Sequence, residues 1–216
     1  MKILVACEES QTVTIELRRL GHEAYSCDTE PCSGDHPEWH LQQDVIPLLS
    51  ERWDMIIAFP PCTYFSTAGA SWLFRDGKLN QERYAKGLEA KGLFMAIYNS
   101  DCSKIAIENP VSMKIWELPK HTQEIQPYQF GDPFKKKTRL WLKGLPILYP
   151  TKIVEPVAKW VSCGNSSNRE KQNQAVCKSS GSRRKRSKTF PGIAKAMAEQ
   201  WAGVAEIERC NNALQE

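Results

Sequence analysis

Two short segments join residues that do chemistry to residues that stop a strand. The first is Ile56-Ile57-Ala58-Phe59-Pro60-Pro61-Cys62-Thr63-Tyr64. Its apolar run from Met55 to Phe59 meets two prolines, which cannot continue a hydrogen-bond ladder and fix their own φ. Cys62 is thereby expected at the carboxyl edge of a buried strand, on a stiff turn, where open α/β sheets place their ligands. The second segment is Lys104-Ile105-Ala106-Ile107-Glu108-Asn109-Pro110, another apolar strand, ending in a carboxylate, an amide and a proline. One sheet edge then offers a nucleophile and an acid. That pairing suits covalent attack on an electron-poor ring.

The elements that must position them alternate. Residues 2–6 read as a buried strand and 11–20 as a helix with Val13, Leu17 and Leu20 on one stripe. Gly21 closes that helix, and 22–27 reads as a strand ending at Asp28. A loop (29–40), a short strand before Asp44 and a helix starting at Ile46–Leu49 precede the strand Trp53 to Phe59. A loop (63–80), a helix (about 81–100) and the strand 104–108 follow. Thr138 to Leu142 reads as a later strand, and Phe190 to Ile207 as an amphipathic helix. This alternation predicts a doubly wound, Rossmann-like, mostly parallel α/β sheet. We expect one domain over 1–216, with 144–188 a small polar and basic insertion and 162–188 a mobile loop within it.

The chain has 216 residues, eight cysteines and a formal net charge of +4. No apolar run approaches the ~20 residues of a membrane span, and no signal-peptide pattern precedes the first strand. Scattered cysteines in an ordinary globular composition point to a reduced, cytoplasmic protein. The first 60 residues are acidic on balance, whereas Lys135, Lys136, Lys137, Arg139 and Lys143 form one basic stretch. Arg183, Arg184, Lys185, Arg186 and Lys188 form another. Such asymmetry fits a polyanionic partner, with Lys137 and the 183–186 run as candidate nucleic-acid contacts; an isolated charge run is otherwise a solvated face.

In this order the pieces resemble the cytosine-C5 DNA methyltransferase family. Pro60-Pro61-Cys62 looks like its Pro-Cys nucleophile motif and Glu108-Asn109-Pro110 like its Glu-Asn-Val motif. Lys135-x-Lys137-x-Arg139 stands where a Gln-x-Arg-x-Arg strand is expected. The resemblance implies Cys62, Glu108 and Arg139 as catalytic residues acting on a cytosine flipped out of DNA. Cys62 would attack C6 of the ring, Glu108 would neutralise N3, and Arg139 would donate to O2 as a fixed fork. It also implies S-adenosylmethionine as cofactor, held near Glu8, Ser10, Asp28, Asp44 and Pro60.

The departures are specific. The family's glycine loop after the first strand is replaced by Ala6-Cys7-Glu8-Glu9-Ser10-Gln11, which has no glycine. Thr63 stands where a Gln usually follows the nucleophile. Thr189-Phe190-Pro191-Gly192 replaces the Gly-Asn-Ser expected before the last helix, and the literal Gly164-Asn165-Ser166 precedes only polar loop sequence. At most 144–188 is available for target recognition, so sequence specificity is expected to be slight, as would suit a compact phage or mobile-element enzyme.

Other readings stay open beside this one. Cys62 could be a plain core cysteine, and Trp72 and Tyr64 could be core aromatics instead of a stacking surface for a flipped base. Cys27, Cys32, His36 and His40 are potential zinc ligands, but their spacing matches no common finger and we expect no metal. Amino-group methylation would require a hydrogen-bond acceptor where Phe59 stands. Two alternatives keep the fold: methylation of a free pyrimidine nucleotide, and a non-catalytic relative that binds nucleic acid or a partner.

Overall fold

The computed structural model describes residues 1–75, 77–159 and 188–203. Its strands are β1 (Lys2–Ala6), β2 (Glu23–Asp28), β3 (His40–Gln42), β4 (Met55–Ala58), β5 (Phe74–Arg75), β6 (Lys78–Leu79), β7 (Ile105–Pro110), β8 (Gln123–Ile125), β9 (Phe134–Lys135), β10 (Thr138–Lys143) and β11 (Ala158–Lys159). The helices are α1 (Thr12–Arg19), α2 (Ala70–Leu73), α3 (Gln81–Tyr98) and α4 (Pro191–Met197).

Seven strands form one sheet in the order β3-β2-β1-β4-β7-β10-β8. The first five in that row run parallel, and β10 is antiparallel to both neighbours. The chain builds outward from β1 to β2 and β3, then returns to lay β4 on the other side of β1. The order therefore reverses between β1 and β4, and a crevice opens at their carboxyl ends. The fold class expected from the alternating pattern is the one observed.

A sheet covered on both faces needs apolar residues at every position, and β1 and β4 supply them. The pleat sorts Ile3, Val5, Met55, Ile57 and Ala106 toward α1 and α4, with Val13, Leu17, Ile193 and Met197. Leu4, Ala6, Ile56, Ala58, Ile105 and Ile107 face the other way, onto Phe94 and Ile97 of α3. Two cores thus clamp the strands whose ends carry the candidate site.

Several element boundaries differ from expectation. Ile46–Leu49 does not start an α-helix; Pro47–Ser50 makes one 3-10 turn, and the chain leaves it extended at Glu51. The supposed loop 63–80 contains a 3-10 turn (Thr67–Gly69), α2 and the β5–β6 hairpin. Its aromatics Trp72 and Phe74 point outward, so no burial periodicity marked it. The last helix opens on Pro191, turns to π geometry over Ala198–Ala202 and ends at Gly203, with 204–216 outside the described residues. Gly192 is required there because a Cβ would collide with the Phe130 carbonyl. Within the expected insertion, Leu148 is buried in the core, and Tyr149 exchanges two hydrogen bonds with Gln200. The 162–187 part lies outside the described residues. No described helix is long and apolar enough to cross a membrane.

Candidate active site

The parallel pairing of β4 and β7 sets Ala58 beside Ile107, so the segments that continue from them run on as neighbours. Asn109, fully buried, donates its side-chain amide to the Pro60 carbonyl at 3.1 Å. Its own Oδ1 is buried without a partner among the described residues. Beyond the prolines the chain turns back: Phe65 and Ser66 both donate their backbone N–H to the Cys62 carbonyl, at 3.1 and 3.0 Å. The turn is then laced to the segment after β7 by Thr67 N–H to Val111 O (3.1 Å) and Met113 N–H to Phe65 O (2.8 Å). Phe65 is fully buried against Phe94 and Trp116, which fixes the base of the turn. Cys62 itself is left exposed at the top.

Glu108 and Cys62 share an electrostatic neighbourhood with one cation, Lys136. Burial pushes the Glu108 carboxyl above the usual range, while the Lys136 ammonium and the Thr138 hydroxyl pull it down. Desolvation by the packed turn raises the Cys62 thiol, as does the Glu108 carboxyl, and Lys136 lowers it. Burial thus raises both groups, and Lys136 opposes it at both. Lys136 is the group that eases thiolate formation.

Arg139 is placed elsewhere. In the antiparallel β7–β10 pair, Leu140 lies opposite Glu108, and Arg139 lies opposite Asn109. Directly opposed residues share a face, so Glu108 shares the Leu140 and Thr138 face and Arg139 projects from the other. There Arg139 Nε lies 3.4 Å from Glu124 Oε2, and Lys137 Nζ lies 3.0 Å from Glu124 Oε1. The structure therefore brings Cys62 and Glu108 together with Lys136 and Thr138, and sets Arg139 and Lys137 with Glu124. Lys143 donates to the Ser100 carbonyl at 3.0 Å. The pleat divides what reads as one basic stretch. Alternation within β10 groups Thr138 with Leu140, but only the register against β7 puts that face on Glu108.

The expected cofactor residues also separate. Glu8 is buried and caps α1: Val13 N–H reaches Oε1 at 2.7 Å, and the Thr14 N–H and hydroxyl reach Oε2 at 3.2 and 2.8 Å. Its carboxyl, pushed up to about 7 by burial against these donors, is committed to the helix and does not reach outward. Ser10 contacts the Thr12 hydroxyl at 3.0 Å. Asp28 is the last residue of β2 and Asp44 lies two residues past β3, each using one oxygen to accept a backbone N–H two residues on. Both raise the neighbouring Cys7 thiol, for which burial is the larger cause. This is an acidic mouth at the carboxyl ends of β1 to β3. Where the family has glycines, Cys7 and Gln11 take left-handed backbone (φ 59° and 57°), and Gln11 is held by His36 and Ser26. The loop adopts glycine-like geometry without glycine.

Arg183, Arg184, Lys185 and Arg186 lie outside the described residues. Among the described residues no three His, Cys, Asp or Glu side chains gather as a metal site.

Over 134 residues, 55% of this chain, the sequence is 31% identical to a protein of Frog virus 3 (isolate Goorha) named as a probable DNA (cytosine-5)-methyltransferase. This bears out the resemblance read from the motifs; the match spans 60% of the viral protein's length. No protein-family model matches the chain. A solved chain described as a candidate DNA modification methyltransferase encoded within an E. coli prophage superposes with a TM-score of 0.42 at 14% identity. It covers 72% of this chain and 52% of its own, and a likeness of that size bears on nothing further.

Proposed function

We propose that this chain methylates C5 of cytosine in DNA, with slight sequence specificity, through a covalent adduct with Cys62. The observation that carries the reading is the convergence of Cys62 and Glu108 on one sheet edge, tied by the Asn109–Pro60 bond, with Lys136 beside both. The viral relative's name supports the same class of reaction.

The residues divide the work as follows. A flipped cytosine enters above the β4 and β7 ends. Lys136 favours the Cys62 thiolate, whose sulfur forms a bond to C6 while the C5–C6 π pair moves into the ring. Glu108, its carboxyl raised by burial, acts as the proton donor to N3, so no full charge builds on the base. In this reading Lys136, as the cation on the Glu108 side, would donate to the ring oxygen, the part the resemblance assigns to Arg139. When bound, S-adenosylmethionine supplies an electrophilic methyl group. Asp28 and Asp44 fit its ribose and adenine end, since each keeps an oxygen beyond its turn bond at the crevice mouth; Glu8 does not fit its amine. After methylation, loss of the C5 proton to water restores the C5–C6 double bond and expels the Cys62 thiolate, and N3 returns its proton to the Glu108 carboxylate.

Incubation with 5-fluorocytosine DNA and S-adenosylmethionine tests this, because fluorine cannot leave C5 as a proton and the adduct is trapped. A DNA-linked band that Cys62→Ser abolishes is expected. No band on duplex DNA, together with methyl transfer to deoxycytidine monophosphate, would move the substrate to the free nucleotide. No transfer to either, and no heat on titration with S-adenosylmethionine, would leave a binding protein.

A further inference from the structure

We propose that the groove between the segment after Cys62 and the start of α3 binds unpaired DNA, stacking a base on Trp72 and following the backbone with Arg75 and Arg83. The proposal rests on the reading of Cys62 above, and concerns a surface that reading does not use.

The groove is a cleft of about 190 Å³ whose walls include Tyr64, Trp72, Arg75, Asn80, Arg83 and Lys86. Trp72 is 55% exposed and its neighbour Phe74 44% exposed, although large aromatic rings are on average well buried. α2 and the β5–β6 hairpin hold these rings outward beside cations. The Arg75 guanidinium lies 5.7 Å from the Trp72 ring, and that of Arg83 5.1 Å from the Tyr64 ring. Arg83 also donates Nη2 to the Thr63 carbonyl at 2.8 Å, and its Nε is buried without a partner among the described residues. The one carboxylate in the wall, Glu82, is engaged by Lys86 at 2.7 Å.

Exposed aromatic faces interleaved with cations are what single-stranded nucleic acid recognises. Every base has a π-face to stack, and the phosphates track the positive charges. A duplex hides its base faces inside the stack, so only an unpaired base can lie on an indole. The Arg83–Thr63 bond sets the groove one residue from Cys62. A strand whose target cytosine reaches Cys62 therefore brings an adjacent nucleotide within reach of Trp72.

Anisotropy titrations of the full chain, without S-adenosylmethionine, with fluorescein-labelled oligothymidylate and with a hairpin duplex, test this. Trp72→Ala is expected to weaken single-strand binding roughly 5- to 100-fold, with the duplex nearly unaffected and Trp72→Phe close to wild type. Arg75→Ala should flatten the single-strand salt slope by about 0.7. Trp72 is on the surface, so these variants keep the fold, which circular dichroism verifies. Unchanged affinity in Trp72→Ala, equal loss on both DNAs, or no single-strand binding by wild type each overturns the proposal. Methyl transfer to duplex DNA without Trp72-dependent binding removes the groove and leaves the proposed function. Trp72-dependent binding without any methyl transfer does the reverse.

Discussion

The Asn109 side-chain amide donates to the Pro60 carbonyl at 3.1 Å, and this bond fastens the turn bearing Cys62 to the strand bearing Glu108. Proline has no N–H, so neither Pro60 nor Pro61 can hold the turn by donating from its own backbone. The neighbouring strand supplies the missing donor from a side chain with no exposure to solvent.

Removing that donor should therefore loosen the turn. Asn109→Ala is expected to lower stability by about 1–3 kcal/mol, the usual result of stranding a buried hydrogen-bonding group. Asn109→Asp keeps the shape but turns an acceptor toward a carbonyl, so its loss should be at least as large. Urea denaturation measures both; an unchanged midpoint would show that the bond does not hold the turn.

Lys136 lowers both the Cys62 thiol and the Glu108 carboxyl. In Lys136→Met the pH at which iodoacetamide alkylates Cys62 half-maximally should move upward, because the thiolate loses the cation that favours it. Arg139→Met should leave that midpoint in place, since its guanidinium pairs with Glu124 across the pleat. A shift in the arginine variant alone would restore Arg139 as the cation of the site.

Glu8 makes a pH-dependent contribution. Its folded carboxyl titrates at about 7, above its ordinary value of 4.5. In that window the folded state holds more protons than the unfolded one, so stability falls as pH rises from about 4.5 to about 7. A displacement of this size corresponds to on the order of 3 kcal/mol. The stability difference between wild type and Glu8→Gln should change by that amount across the window, measured by denaturation at both ends. A pH-independent difference would mean that the three hydrogen bonds at the start of α1 outweigh the desolvation.

The run Arg183 to Arg186 makes a prediction from sequence alone. Replacing Arg183, Arg184, Lys185 and Arg186 with alanine should weaken DNA binding about equally for unrelated sequences. It should flatten the plot of log affinity against log salt by about 0.9 for each phosphate that is no longer neutralised. An unchanged slope would identify a solvated tail, and a weakening confined to one sequence would mean that this region reads bases.

Much was legible in the chain itself. The runs Ile3–Val5 and Met55–Ala58 are apolar at every position, which only a sheet covered on both faces can use, so the parallel core followed from composition. Two prolines after Phe59 placed Cys62 just past a strand end, because proline's covalent geometry acts locally; Pro110 does not end its strand at Glu108 as expected, since β7 runs through it and stays paired with β10. What acts across strands was not legible. Which of Lys136, Lys137 and Arg139 faces Glu108 depends on register, and a one-residue difference reverses every side chain. Glu8 looked available until α1 folded back over it and its unsatisfied N–H groups claimed the carboxylate. The sequence left Trp72 open between core and stacking surface, and only the fold decided it: the ring is exposed and lines the groove with Arg75 and Arg83. Sequence decides what is decided by neighbours in the chain; the pleat, the helix cap and the groove are contacts between distant segments, and those the tertiary structure alone decided.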